Sequence, residues 1–349
     1  MSETGKTITV ALDAMGGDNA PAAIIDGAFL ALEKEPRLKI LLIGQQGAIL
    51  SAIGDRPVDK ERLEVINASE VIEMAEHPVN AIRKKKDSSI VVGLNLVKEN
   101  KADIFVSAGS TGAVLVGGQL IVGRINGIDR TPIGAVYPTV RGASLLIDTG
   151  ANMDPRIKNI QQYAVMGTIY MKNVMGIENP TVGLLNIGAE EEKGNAFYVQ
   201  AHQALKTLDG VNFIGNVEAR DFPLGLADII VCDGFTGNII LKNYEGTAKA
   251  LKDMIMTSIK STLKSSIGGL LIKSALKKTL KKMDASEYGG APLLGLKGLA
   301  VKTHGSAKAK EIYNTLMQCP TFVDNDIVGR ISESIAELNV SAENTDSNK

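Results

Sequence analysis

Five short segments of this 349-residue chain combine glycine with small polar side chains: DAMGGD (13–18), SAGSTG (107–112), DTGANMD (148–154), NIGAEEEKGN (186–195) and DGFTGN (233–238). Glycine lets a ligand come close to the backbone, and a helix beginning just after such a turn points free N–H groups and its positive dipole end outward. That chemistry suits an anion, most simply phosphate. Gly16, Gly17, Ser110, Thr111, Gly112, Asn152, Asn195 and Gly237 are its candidate ligands. Any one of these segments reads equally well as a tight βα turn, and the set of five is what favours the anion. Lys193 in the fourth segment can hold phosphate as a point charge, although the three acids before it also read as a solvated charge cluster.

The elements that must carry these segments follow from the apolar runs preceding them. Runs at 7–12, 40–43, 104–106, 143–147, 182–186 and 229–232 are mostly followed by helical patterns such as AFYVQAHQALKTL at 196–208. This alternation predicts an α/β fold of three layers, αβα, with a largely parallel sheet covered by helices. Ligands bind such sheets beyond the carboxyl ends of the strands, which places all five tips along one edge. No G-x-G-x-x-G follows the first run and no G-x-x-x-x-G-K-[ST] occurs, so nucleotide readings lose their main support. The uncharged stretch 104–123 has the length of a membrane span, but its five glycines and Ser107, Ser110 and Thr111 predict a buried strand, a turn and a helix.

Charge is distributed unevenly. Residues 254–283 hold seven lysines and no acid, so a formal net charge of −1 leaves −8 on the remainder. Helical patterns at 244–264 and 270–283, broken at 265–269, predict a protruding helical hairpin spanning 244–283, with an apolar tip of Ile267, Leu270, Leu271 and Ile272. This segment reads as a shallow contact with an anionic membrane, and alternatively as packing in a dimer core. Arg83, Lys84, Lys85 and Lys86 form a second basic cluster suited to an acidic partner. Aromatic residues make up 4% of the chain, with no Trp, which argues against single-stranded nucleic acid. Two cysteines cannot build a disulfide framework or a four-ligand zinc site, and the amino terminus lacks a secretory pattern, so a reducing cytoplasm is expected. No cofactor or metal is called for, and Asp13, Asp148 and Asp233 read as turn and cap residues before Mg²⁺ ligands. One α/β catalytic unit, possibly of two lobes, is expected over 1–338, with a flexible polar tail at 339–349.

The strings VSAGSTGA, LLNIGAEEEKGN, NFIGNVEARD, DGFTGNIILKNYEG and YGGAPLLGLKG resemble the bacterial phosphate acyltransferases of phospholipid synthesis, often called PlsX. The resemblance runs over about residues 8–335, with order and spacing intact. It departs from the usual pattern at Ser110, where Asn is common, and at Ala219, where VEGRD is usual. It implies transfer of a fatty acyl group from acyl carrier protein to inorganic phosphate, giving acyl phosphate. A homodimer and a fold like the isopropylmalate dehydrogenase and phosphotransacetylase group are implied with it. Three other readings keep the architecture: a phosphotransacetylase-like enzyme acting on CoA thioesters, a dehydrogenase without a nucleotide fingerprint, and a membrane-associated scaffold that has lost its chemistry.

Attack of phosphate on a thioester needs an anion pocket and donors for the developing oxyanion, but no protein nucleophile, because a thiolate leaves easily. Cys232, on an apolar strand with no His nearby in sequence, is a weak rival. Lys193 is the first catalytic candidate, favoured by the resemblance. Asn238, whose amide can reach a thioester oxygen or simply cap a helix, is the second, and His304 a lesser third. His77 also lies in a polar segment, while His202 sits in a helical pattern and reads as structural.

Overall fold

The computed structural model describes residues 6–282 and 285–346. The first four strands are β1 (Ile8–Asp13), β2 (Leu38–Gly44), β3 (Leu63–Asn67) and β4 (Ile104–Ser107). Next come β5 (Gly134–Thr139), β6 (Gly142–Ile147), β7 (Thr181–Asn186), β8 (Asn212–Glu218) and β9 (Ile229–Val231). The chain then returns with β10 (Ala291–Pro292) and β11 (Leu299–Lys302). These strands form two sheets, where the apolar runs alone suggested one. The first has the order β10-β11-β4-β1-β2-β3 and the second β5-β6-β9-β7-β8. Only the β5–β6 and β10–β11 pairs are antiparallel. The central strands β1, β4, β7 and β9 are buried almost without interruption, as parallel strands covered on both faces must be.

Helices α1 (Ala22–Lys34), α2 (Gln46–Ile53), α3 (Pro78–Lys84), α4 (Ser89–Lys98) and α5 (Thr111–Gly117) belong to the first lobe. Helices α6 (Ile157–Asn173) and α7 (Ala196–Lys206) belong to the second. A π-helical turn, Gly118–Val122, extends α5, so 104–123 is indeed strand, turn and helix. After the hairpin helices α8 (Gly234–Lys260) and α9 (Leu263–Lys282), the chain ends in α10 (Ala309–Asp324) and α11 (Ile327–Asp346). Helix α10 packs on α1 and α11 packs on α6, so the carboxyl-terminal helices tie the lobes together. One buried apolar cluster runs from Val10 and Leu42 through Tyr163 and Tyr170 to Val182 and Ile229, and both sheets therefore share a core.

The hairpin differs from its sequence pattern in three ways. Helix α8 starts at Gly234, ten residues before the expected start, because Asp233 caps it by accepting the Thr236 N–H at 2.8 Å. The break falls at 261–262, not 265–269, where Thr262 and Ser265 exchange hydrogen bonds at the start of α9. The apolar tip residues therefore lie on α9 itself, with Ile267, Leu270, Leu271 and Ile272 between 53% and 82% exposed. Met283, the expected end of the hairpin, lies outside the described residues. At the carboxyl terminus the helix continues to Asp346, across most of the segment read as a tail. Among the described residues no helix is long and apolar enough to cross a membrane.

Candidate active site

Because there are two sheets, the five glycine-rich tips divide into two groups, at the ends of β1 and β4 in the first lobe and of β6, β7 and β9 in the second. In the first lobe the Ser107 hydroxyl donates to buried Asp13 at 2.6 Å and accepts the Gly109 N–H at 2.9 Å. Asp13 also accepts the Met15 N–H, at 3.1 Å, and burial pushes its carboxyl above the ordinary range. A Cβ on Gly16 would run into Asp13 and the Gly109 backbone. Gly17, at φ +99°, lies against Ala108 and the Gly305 carbonyl. These glycines thus admit neighbouring strand tips, and Gly112 in the same way admits Pro78. Ser110 caps α5 by accepting the Ala113 N–H at 3.4 Å, while Thr111 beside it is exposed.

Two side chains at the end of β11 complete this lobe. Lys302 is buried, and its ammonium donates to the Ala108 carbonyl at 3.3 Å and to the Thr303 carbonyl. Burial lowers its pKa to about 8, with Asp13 pulling the other way. Nothing in VKTHGS marks this lysine in the sequence; its burial follows from the pairing of β11 beside β4, which sets Lys302 opposite Ser107. His304 is exposed, with Nδ1 2.8 Å from the Ser306 hydroxyl and Nε2 3.5 Å from the Lys242 ammonium on α8. That approach links α8 of the second lobe to the β11 end of the first.

In the second lobe Asp148 is the hub. Its Oδ1 accepts the N–H groups of Ile133, Gly150 and Ala151 at 3.0, 3.2 and 3.0 Å. Its Oδ2 accepts the Asn152 N–H and side-chain amide at 2.7 and 2.9 Å. The Asn152 amide also donates to the Thr131 carbonyl, and the Asn152 carbonyl accepts the Gly234 N–H at 2.7 Å. Asn152 is therefore committed to fixing the start of α8. Asp233 receives the Thr236 hydroxyl at 2.7 Å and the Tyr198 phenol at 2.5 Å. Gly237 is required here, since a Cβ would strike the Asp148 carbonyl and Cys232. The Cys232 thiol is fully buried and pushed well up by burial and by Asp233 and Asp148, which keeps it neutral. Asp13, Asp148 and Asp233 are all spent on turns and caps.

Lys193 and Asn238 stand free on this scaffold. Asn186 donates to the Lys193 carbonyl at 3.0 Å and Asn216 donates to the Glu190 carbonyl at 2.7 Å, so the 186–195 loop is braced from below. Buried His202 contributes through Nδ1, 3.0 Å from the Asn216 carbonyl oxygen, which is a structural role. Glu191 pairs with Lys206 at 2.7 Å, and among the described residues no carboxylate lies within ion-pairing distance of the exposed Lys193 ammonium. Asn238 does not cap α8; its exposed side chain sits over Gly150 and makes no hydrogen bond among the described residues. Asn195 caps α7, accepting the Tyr198 N–H at 3.2 Å, and borders an open cavity of about 380 Å³. Met153, Pro155, Phe197 and Phe235 give that cavity an apolar rim beside the same loops that carry Lys193 and Asn238.

The arrangement therefore offers two free donors, a helix start without acids in its first turn, and a recess of mixed lining with an apolar rim, with no activated nucleophile among the residues that build it. Residues 8–330 match the family described as fatty acid synthesis protein. A phosphate acyltransferase of Thermoanaerobacter pseudethanolicus is 47% identical over 94% of this chain and 98% of its own. One from Caldicellulosiruptor saccharolyticus is 48% identical over 93% of this chain and 98% of its own. Among solved structures, a phosphotransacetylase from Streptococcus pyogenes matches the fold with a TM-score of 0.61 at 18% identity, covering 92% of this chain and 95% of that one.

Proposed function

The chain belongs to the fatty acid synthesis protein family and is a phosphate acyltransferase, and on that premise we propose that it moves a long-chain fatty acyl group from acyl carrier protein to inorganic phosphate. A phosphate oxygen attacks the thioester carbonyl carbon, a C–O bond forms as the carbonyl π pair moves onto oxygen, and collapse of that oxyanion breaks the C–S bond. The carrier-protein thiolate leaves and takes up a proton from solvent. Lys193 and Asn238 meet the developing oxyanion and the phosphate charge, and the recess beside them receives the first carbons of the acyl chain against its apolar rim. Thr111, with the backbone of Ser110 and Gly112, helps hold the acceptor phosphate, and His304 lies at the opposite wall. The observation that carries this reading is a pair of unpartnered polar side chains, Lys193 and Asn238, held by braced loops at the ends of β7 and β9.

The product is an amphiphile, and this gives the basic hairpin a purpose. Exposed Lys264, Lys273, Lys277 and Lys278 flank exposed Leu270 and Leu271, a combination suited to reversible attachment to an anionic bilayer from the cytoplasmic side. Arg83 and Lys84, exposed on α3 against Gly112, suit an acidic carrier protein. A homodimer would present two such hairpins together. The decisive assay is phosphate-dependent release of free carrier protein from palmitoyl carrier protein, run beside acetyl-CoA. Release from neither thioester would overturn the proposal, and release from acetyl-CoA alone would move the donor to CoA.

A further inference from the structure

Lys302 is a buried ammonium to which the reaction as described gives no task. It is 8% exposed, and among the described residues no carboxylate lies within 4.0 Å of it; its hydrogen-bond acceptors are two backbone carbonyls. One acceptor, Ala108, lies in the turn leading to Ser110, Thr111 and Gly112; the other, Thr303, immediately precedes His304. A second tie joins the same tips, where the Thr303 N–H donates to the Ser107 carbonyl at 3.0 Å. Burying a lysine without an ion pair is costly, and a neutral side chain of similar shape would fill the space without that cost. A cation persisting here calls for an anion to be served.

We propose that Lys302 is a positioning residue for the acceptor phosphate, clamping the β4 tip to the β11 tip and setting a positive charge beneath the phosphate held by Thr111 and its neighbours. The inference rests on the phosphate acyltransferase reading above. Its charged surroundings are Asp13 and Asp18 from the β1 end, Lys242 from α8, and His304 beyond Thr303. Because the ammonium loses its proton as pH rises through about 8, phosphate capture is full below that pH and falls above it, where inorganic phosphate is already dianionic. Among the described residues Lys302 makes no hydrogen bond in the second lobe, so capture of the acyl donor is spared.

The test is steady-state kinetics of the full-length enzyme and Lys302→Met, with phosphate and palmitoyl carrier protein varied separately from pH 6.5 to 9.5. The expected result is a phosphate KM raised at least about tenfold, the scale of one charge-assisted interaction. The carrier-protein KM should stay within about twofold, and the wild-type rise in phosphate KM above pH 8 should be missing from the variant. An unchanged phosphate KM overturns the inference, as does a parallel loss in both substrates with a lowered melting temperature, which would mark a purely structural lysine. If Lys302→Met does not fold, Lys302→Gln is assayed in its place, and a phosphate KM within about twofold of the wild type in that variant refutes the role. Absence of phosphate-dependent turnover in the wild type is a different failure, that of the functional reading itself.

Discussion

Exchanging one oxygen of Asp148 for an amide isolates the contribution of its five hydrogen bonds with almost no change of shape. In Asp148→Asn the new NH₂ must occupy either the Oδ1 position, which receives three N–H groups, or the Oδ2 position, which receives two. In either orientation at least two buried N–H donors lose their acceptor and face another donor. Each unsatisfied donor costs about 1–3 kcal/mol, so the variant should lose about 2–6 kcal/mol. At about 2.1 cal/mol/K per residue, a chain of this length unfolds with an entropy near 0.7 kcal/mol/K, which converts the loss into about 3–8 °C in melting temperature. Differential scanning calorimetry at pH 7 reads this directly. Turnover should fall as well, since the 148–154 loop holds both the start of α8 and Gly150 beneath Asn238. A variant melting within about 1 °C of the wild type would refute the idea that this carboxylate organises the second lobe.

Lys193→Ala should lower turnover by at least about a hundredfold with an unchanged melting temperature, the scale of removing one oxyanion or phosphate donor; near-normal turnover would end the assignment. Inorganic phosphate should raise the melting temperature in proportion to the logarithm of its concentration above its dissociation constant, and a flat response would dispose of an acceptor site. Replacing Leu270 and Leu271 together by Glu should abolish co-sedimentation with anionic liposomes while activity in solution persists; dissociation into monomers would instead assign the aliphatics to subunit packing.

Some of this architecture is legible in the sequence because local signals carry it. The runs that became β1, β2, β4, β6, β7 and β9 are predominantly apolar and end in glycine or small polar residues, as buried parallel strands do. Among the strands that escape notice, β3 is half exposed, β5 contains Pro138, and β8 shifts register against β7 just before Gly215, at φ +99°. Division into two sheets is not a local property, since it depends on β9 choosing β6 and β7 as neighbours and β11 choosing β4. Lys193 and Asn238 stand out as candidates from their place in glycine-rich loops and from the resemblance. The tasks of Gly16, Gly112 and Gly237 were not, because the atoms that fill the space beside them come from distant segments. Lys302 was hidden for the same reason: an isolated lysine at the end of a four-residue strand looks like surface until its neighbours are known.

Helix α8 begins at the capped turn below Asn238 and runs without interruption for 27 residues to the break before α9. At 1.5 Å per residue it is a rod of roughly 40 Å. Its length fixes how far the apolar tip stands from the chemistry, and its pitch fixes the direction in which the tip faces. One inserted residue would swing α9 by about 100° around the rod while moving it only about 1.5 Å further out. Seven inserted residues would restore nearly the original bearing at a greater reach. The hairpin is thus a gauge with a phase, and variation in its length should come in steps of about seven residues wherever the orientation of the tip matters.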